Sequence, residues 1–233
     1  MQNNHPYKIY IDVSGTVKGN KDDIFVGCIL FNDNYRAAYK EKFYREFPSL
    51  QSFNKKGSSL NPDKLKNIIN HMDQNKIKMS AVVLPRYIIK RTQNNLKKRI
   101  AEIKHLKGEV HLKDFEEKIM GIAYLNAISQ LPLRQCQYDC YFCAESQFSI
   151  QQALVAFDRL RFIRNMRLRP SFTMRRLEHM IKFADFTASA ARKIDKSHIN
   201  QYQNFKYTTC DLADNDLDIV FGLSRREGSK RNI

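Results

Sequence analysis

The sequence predicts an α/β fold on a mixed central sheet, an antiparallel meander first and then parallel strands, with helices flanking it. Three observations carry this. Apolar runs with strand periodicity stand close together near the N-terminus. From about residue 60 onward, helical and strand patterns alternate. Six prolines and eight glycines in 233 residues leave no Pro/Gly/Ser-rich linker, and no internal repeat is visible. One domain over residues 1–195, followed by a C-terminal extension with a basic tail over 196–233, is therefore expected.

Taken in order, "YKIYIDVSG" opens the domain as a strand. Tyr7, Ile9 and Ile11 alternate with Lys8, Tyr10 and Asp12, and Ser14-Gly15 signals a turn. "DIFVGCILFN" is nearly continuous in apolar residues and reads as a buried second strand. "RAAYKEKFYREF" reads as a third, completing the meander. "NPDKLKNIINHMDQNK" is helical: Asn61 caps, Pro62 suits the first helical position, and Leu65, Ile68, Ile69 and Met72 share a face. "IKMSAVVLP" is a buried strand stopped by Pro85. Residues 91–130 are helical in two or more pieces, broken at Gly108. "QYDCYFCAE" is a strand, "SIQQALVAFDRLRFIRN" a helix and "RLRPSFT" a short extended piece. "MRRLEHMIKFADFTASAARKI" is the last strong helix, with Leu177, Ile181, Ala184, Ala188 and Ala191 on a small-residue packing face. The last forty residues are polar, with one candidate strand at "LDIVFGL".

The formal net charge is +16, from 40 basic and 24 acidic residues. Nucleic acid is the most economical partner for so basic a chain, because its backbone charge rewards basic surfaces. A basic face for a membrane or an acidic protein is the plainer alternative. No run approaches the roughly 18 apolar residues of a membrane-spanning helix. The N-terminus lacks the charged-then-apolar order of a secretory leader. A cytoplasmic protein is expected, in which five cysteines stay reduced and act as thiols or metal ligands.

Cys136, Cys140 and Cys143 have the spacing C-x3-C-x2-C, similar to the pattern with which radical S-adenosylmethionine enzymes hold an iron–sulfur cluster. The surrounding alternation instead makes a strand, with Tyr138, Cys140 and Phe142 on one face and Asp139, Tyr141, Cys143 and Glu145 on the other. Cys140 and Cys143 then point apart, and no Gly-rich run follows to hold a nucleoside cofactor. No iron–sulfur cluster is expected. Zinc is disfavoured for the same reason, with no fourth ligand nearby.

Three acids suit a sheet-based metal site: Asp12 near the end of the first strand, Glu145 at the end of a later one, and Asp185 on the last strong helix. Metal-assisted phosphoryl chemistry uses carboxylates from separate elements to hold Mg²⁺ or Mn²⁺ against a phosphate. Each also has a plainer role. Asp12 can cap the turn at Gly15, and Glu145 can be a solvated strand end. Asp185, hemmed in by apolar neighbours, must be neutralised, paired or metal-bound. Glu178 and Lys182 lie on its side of the helix.

With these residues in view, "YIDVSG" and "IKFADFTASAARK" resemble the ribonuclease H-like family catalogued as domain of unknown function 3800. That family opens with a strand ending Tyr-Ile-Asp-Glu-Ser-Gly and closes with a helix bearing Ala-Asp, small and apolar residues, then a basic one. Asp12, Ser14 and Gly15 match the opening; Ala184, Asp185, Ala188 and Arg192 match the close. Glu145 stands where the family has a strand ending in an acid. The resemblance covers roughly residues 7–195 and implies a ribonuclease H-like fold with a carboxylate metal site. Val13 replaces the glutamate usual after the first aspartate, and Leu84 stands where an aspartate is common. Those two departures imply a reduced, substituted or dead metal site.

Between residues 159 and 176 there are seven arginines and no lysine: Arg159, Arg161, Arg164, Arg167, Arg169, Arg175 and Arg176. Guanidinium forks take phosphates bidentately, so this run is the candidate nucleic-acid surface. It joins the strand of Glu145 to the helix of Asp185 and should border any site those acids form. Its plainer role is a solvated face with ion pairs to Asp158 and Glu178. No base-reading module is recognisable. Two functional readings follow. One is a Mg²⁺- or Mn²⁺-dependent nuclease acting on RNA or DNA phosphodiesters. The other is a catalytically inactive nucleic-acid-binding subunit of a larger assembly. The retained acids favour the first, and Val13 and Leu84 the second.

Overall fold

The two faces of the first strand decide the layers of the molecule. In β1 (Tyr7–Ser14), Ile9 and Ile11 enter one core and Tyr10 enters another, on the opposite side of the sheet. The structure, a computed structural model, describes residues 6–15, 22–52, 55–102, 112, 114–144, 150–174 and 177–223. After β1 come β2 (Ile24–Asn32), α1 (Arg36–Glu46), α2 (Pro62–Gln74) and β3 (Lys78–Leu84). Then follow α3 (Arg86–Glu102), α4 (Phe115–Ser129), β4 (Tyr138–Cys143), α5 (Ile150–Ile163) and β5 (Leu168–Thr173). The chain continues with α6 (Ile181–Lys193), α7 (Lys196–Ile199), β6 (Phe205–Thr209) and α8 (Asp214–Phe221).

The sheet has six strands in the order β5-β4-β1-β2-β3-β6. β2 pairs antiparallel with β1 and β3, while β4 joins β1, β5 joins β4 and β6 joins β3 in parallel. Only β2 therefore runs against the rest. On one face, Ile9, Ile11 and Phe142 pack under α3, α4, α5 and α8, with Leu96, Phe157 and Leu217 among the contacts. On the other, Tyr10 and Ile29 pack under α1, α2, α6 and α7, with Phe43, Ile68, Phe186 and Ile199. The protein is an α/β three-layer structure, as the alternation of patterns predicts. No described helix is long and apolar enough to cross a membrane.

Several segments differ from expectation. Arg36–Glu46 is a helix rather than a third strand. Only Tyr39 and Phe43 are buried along it, four residues apart on one helical face, and the Ala, Lys, Glu and Arg between them are helix formers. The meander is completed instead by β3. "LDIVFGL" is also helical. Asp214 and Asp216 favour a helix N-terminus, and Gly222 supplies the left-handed residue (φ 69°) that ends α8. β6 was not foreseen, because "FKYTT" is a half-polar strand at the sheet edge with only Phe205 buried. It adds residues beyond 195 to the sheet itself. The last strong helix begins at Ile181, so Leu177 lies in the preceding turn, exposed, and not on the packing face. The expected break at Gly108 and the basic tail lie outside the described residues.

α6 is the most deeply enclosed helix, with Ile181 through Ala191 all buried. Its approach to the sheet is set by Gly27 of β2. A Cβ there would stand 2.4 Å from both the Ala184 carbonyl oxygen and the Ala188 nitrogen. Both are backbone atoms of a packed helix and cannot swing aside. Gly27→Ala is expected to push α6 off the sheet and lower stability by about 3 kcal/mol or more, read as a reduced urea midpoint.

Candidate carboxylate site and basic surfaces

Asp12 sits on β1 directly opposite Gly27 and is 1% exposed. Strand alternation turns it, with Tyr10, toward the layer that holds α6. Its Oδ1 accepts a hydrogen bond from the Val13 amide at 2.8 Å. Asp185 on α6 is 3% exposed. Its Oδ2 accepts from the Gly57 amide at 2.8 Å and its Oδ1 from the Ser189 hydroxyl at 3.4 Å. The structure thus brings Asp12 and Asp185 to the same side of the sheet. Glu145 lies outside the described residues, two positions beyond the end of β4.

Asp185 belongs to a polar seam along α6. Lys182 donates to the Leu50 and Ser52 carbonyls, and Lys193 donates to those of Ser58 and Leu60 at 2.6 and 2.7 Å. With Asp185 and Ser189 these lysines hold the connection from α1 to α2 against the helix. Burying a charge is costly unless hydrogen bonds replace water, which is what these backbone groups do. Glu178 pairs with Arg36 of α1 at 2.7 Å and accepts from the Met180 amide at 3.1 Å.

Hard carboxylate oxygens suit Mg²⁺ or Mn²⁺, and of the three acids expected to hold metal the structure describes Asp12 and Asp185. Among the described residues no three His, Cys, Asp or Glu side chains group as metal ligands.

Of the arginine segment, the described part carried by α5 lies across the sheet from these acids. α5 packs on the opposite side of the sheet from α6, and carries Arg159 and Arg161, with Arg164 just beyond its end. Arg159 donates to the Val220 carbonyl at 3.3 Å, Arg161 pairs with Asp158, and Arg164 pairs with the buried Asp216 of α8. Arg169, on β5, pairs with Asp139 of β4 at 2.7 Å. Arg167 is exposed, and Arg175 and Arg176 lie outside the described residues. Several of these side chains therefore fasten elements together. Sequence proximity suggested a common patch because the crossover from α5 through β5 to α6 carries the chain from one face of the sheet to the other. A different positive region surrounds His179, whose Nδ1 lies 3.4 Å from the Tyr44 hydroxyl. Burial lowers its pKa, and Lys40, Lys182 and Arg36 act in the same direction.

β4 has the expected alternation. Cys140 enters the core under α4 and α5 and Cys143 enters the core under α6, so their sulfurs lie on opposite sides of the sheet. Burial raises the pKa of Cys28 and Cys140 and pushes Cys210 up to about 12. The thiolate is the reactive form.

No protein-family model matches the chain, and no curated protein matches it.

Two outcomes are expected. In the native protein at neutral pH a thiol reagent should modify Cys136 alone, and Cys28, Cys140, Cys143 and Cys210 only after unfolding, counted by mass spectrometry. Arg164→Gln, which strands the buried Asp216 carboxylate, should cost about 2 kcal/mol, a value reduced for the partial exposure of Arg164. Arg167→Gln should stay within about 0.5 kcal/mol of the parent, both read by urea unfolding.

Proposed function

We propose that the chain is a ribonuclease H-like nuclease that cleaves RNA or DNA phosphodiesters with Mg²⁺ or Mn²⁺, using Asp12, Asp185 and Glu145 as metal-binding carboxylates. The observation that carries this reading is Asp12, buried near the carboxyl end of the central strand. There the strand order changes direction, from β1-β2-β3 on one side to β4-β5 on the other. Open α/β sheets bind ligands at the carboxyl ends of strands beside such a switch point. The single reversed strand, β2, supports the ribonuclease H-like class, and the resemblance of "YIDVSG" and "IKFADFTASAARK" supports the family. The net charge of +16 supports a nucleic-acid partner.

In this reading the acids hold the metal, whose contribution is to stabilise charge on the phosphate and activate a water. Asp185 remains tied to Gly57 and Ser189, which fix its orientation. A second reading, a non-catalytic nucleic-acid-binding subunit of a larger assembly, is favoured by that same engagement of Asp185. Val13 and Leu84, at positions where the family has acids, point the same way.

A melting series separates the two. For the nuclease, Mg²⁺ or Mn²⁺ near a hundred times its dissociation constant should raise the melting temperature by about 5 °C or more. Asp185→Asn should abolish both that rise and cleavage. It should leave the fold intact, because the amide oxygen still accepts from Gly57. For the non-catalytic subunit, neither metal shifts the melting temperature, no nucleic acid is cut, and Asp185→Asn is neutral or stabilising.

A further inference from the structure

A groove of about 600 Å³ runs between the amino end of β1, the start of α1 and the turn from α2 into β3. Its lining includes Tyr35, 66% exposed, and Tyr7, 37% exposed, together with Lys42, Lys76 and Lys78. Among the described residues that line it there is no Asp or Glu. We propose that this groove binds a single-stranded nucleic-acid segment, with a base stacked on Tyr35 and backbone phosphates on Lys42 and Lys76. The proposal rests on the reading of the chain as a nucleic-acid-binding protein and is independent of the metal site.

The chemistry of the lining selects this occupant. Exposed aromatic faces beside cations are how proteins hold single strands without sequence preference: every base has a face to stack, and the backbone supplies the charge. A duplex offers its phosphates but hides the faces of its bases. Lys42 donates to the Asn75 side chain at 2.8 Å. The partner is a neutral amide, which orients the ammonium group without cancelling its charge.

Lys76 supplies an independent observation. It has a left-handed backbone, φ 58°, at the position just past the end of α2. The Lys76 amide bonds the Asp73 carbonyl at 2.9 Å and the Ile77 amide bonds the Met72 carbonyl at 3.1 Å. This is the helix-ending motif in which glycine is the usual left-handed residue. A lysine there strains the backbone, and among the described residues it has no ion-pair partner to justify its side chain. The groove stands at the far end of β1 from Asp12, about 17 Å away at the usual rise per residue. It would therefore anchor a strand at a distance from the carboxylates.

The test is fluorescence anisotropy with labelled oligouridylate and oligothymidylate, in EDTA so that metal plays no part. The parent should bind both. Tyr35→Ala should weaken single-strand binding at least about fivefold while leaving duplex binding unchanged. Lys76→Gly should weaken it and flatten the salt slope by about 0.7, yet raise the melting temperature by about 2 °C. A purely structural lysine would not give that opposed pair of effects. Inorganic phosphate matched in phosphate concentration should fail to displace the oligomers; full displacement would mean an isolated anion site and overturn the proposal. Normal binding by both variants overturns the groove while the nucleic-acid reading stands. A parent that binds duplex but neither oligomer also overturns the groove alone, and one that binds no nucleic acid overturns both.

Discussion

The close approach of α6 to β2 is the constraint on which the rest of the second layer depends. Gly27 removes a side chain where the helix backbone must pass, and Ala184 and Ala188 keep the helix side equally thin. With α6 drawn so near, its remaining faces are enclosed as well. One meets the aromatic cluster in which Phe43 stands edge-on to Phe183 at 4.7 Å between ring centroids. Another meets the connection between α1 and α2. The described part of the connection holds two short 3-10 turns, Pro48–Leu50 and Gly57–Ser59, which leave carbonyls and the Gly57 amide to be met by Lys182, Lys193 and Asp185. A helix enclosed on all sides thus carries charge because the neighbouring backbone demands it.

This gives Asp185 two roles that are not exclusive. A carboxylate has about four lone-pair positions, and the two bonds from Gly57 and Ser189 leave capacity for a further partner. The same bonds hold the group in one orientation, as a ligand would require. Asp12 has one oxygen fixed by the Val13 amide.

Much of the fold was legible because its elements advertise their period. β1, β2, β3 and β4 were found from alternation or continuous apolar runs, and α2 from its cap and stripe. The failures share a cause. Arg36–Glu46 and Asp214–Phe221 are short, and their few apolar residues fit either a strand or a helix until packing chooses. β6 gains its identity from pairing with β3, which no local pattern shows. At the site, Asp12 and Asp185 were legible as candidates from their places on a strand and a helix, but their shared side of the sheet appears only once β2 and α6 are packed. Arg159, Arg161 and Arg164 stand across the sheet from Asp185 because β5 intervenes between α5 and α6. The acid-free groove could not be seen, since Tyr7, Tyr35, Lys42 and Lys76 come from three separate stretches of chain.

β5 forms one open edge of the sheet, and Pro170 stands in the middle of it. Proline has no amide hydrogen, so the row of donors along that strand is interrupted where another strand would need it. Exposed Phe172, two residues on, would otherwise make this edge attractive to a second chain. Arg169, before the proline, adds charge that a matching copy would repel. The sheet is therefore guarded on this side against edge-to-edge stacking, the route by which unprotected β edges grow into aggregates.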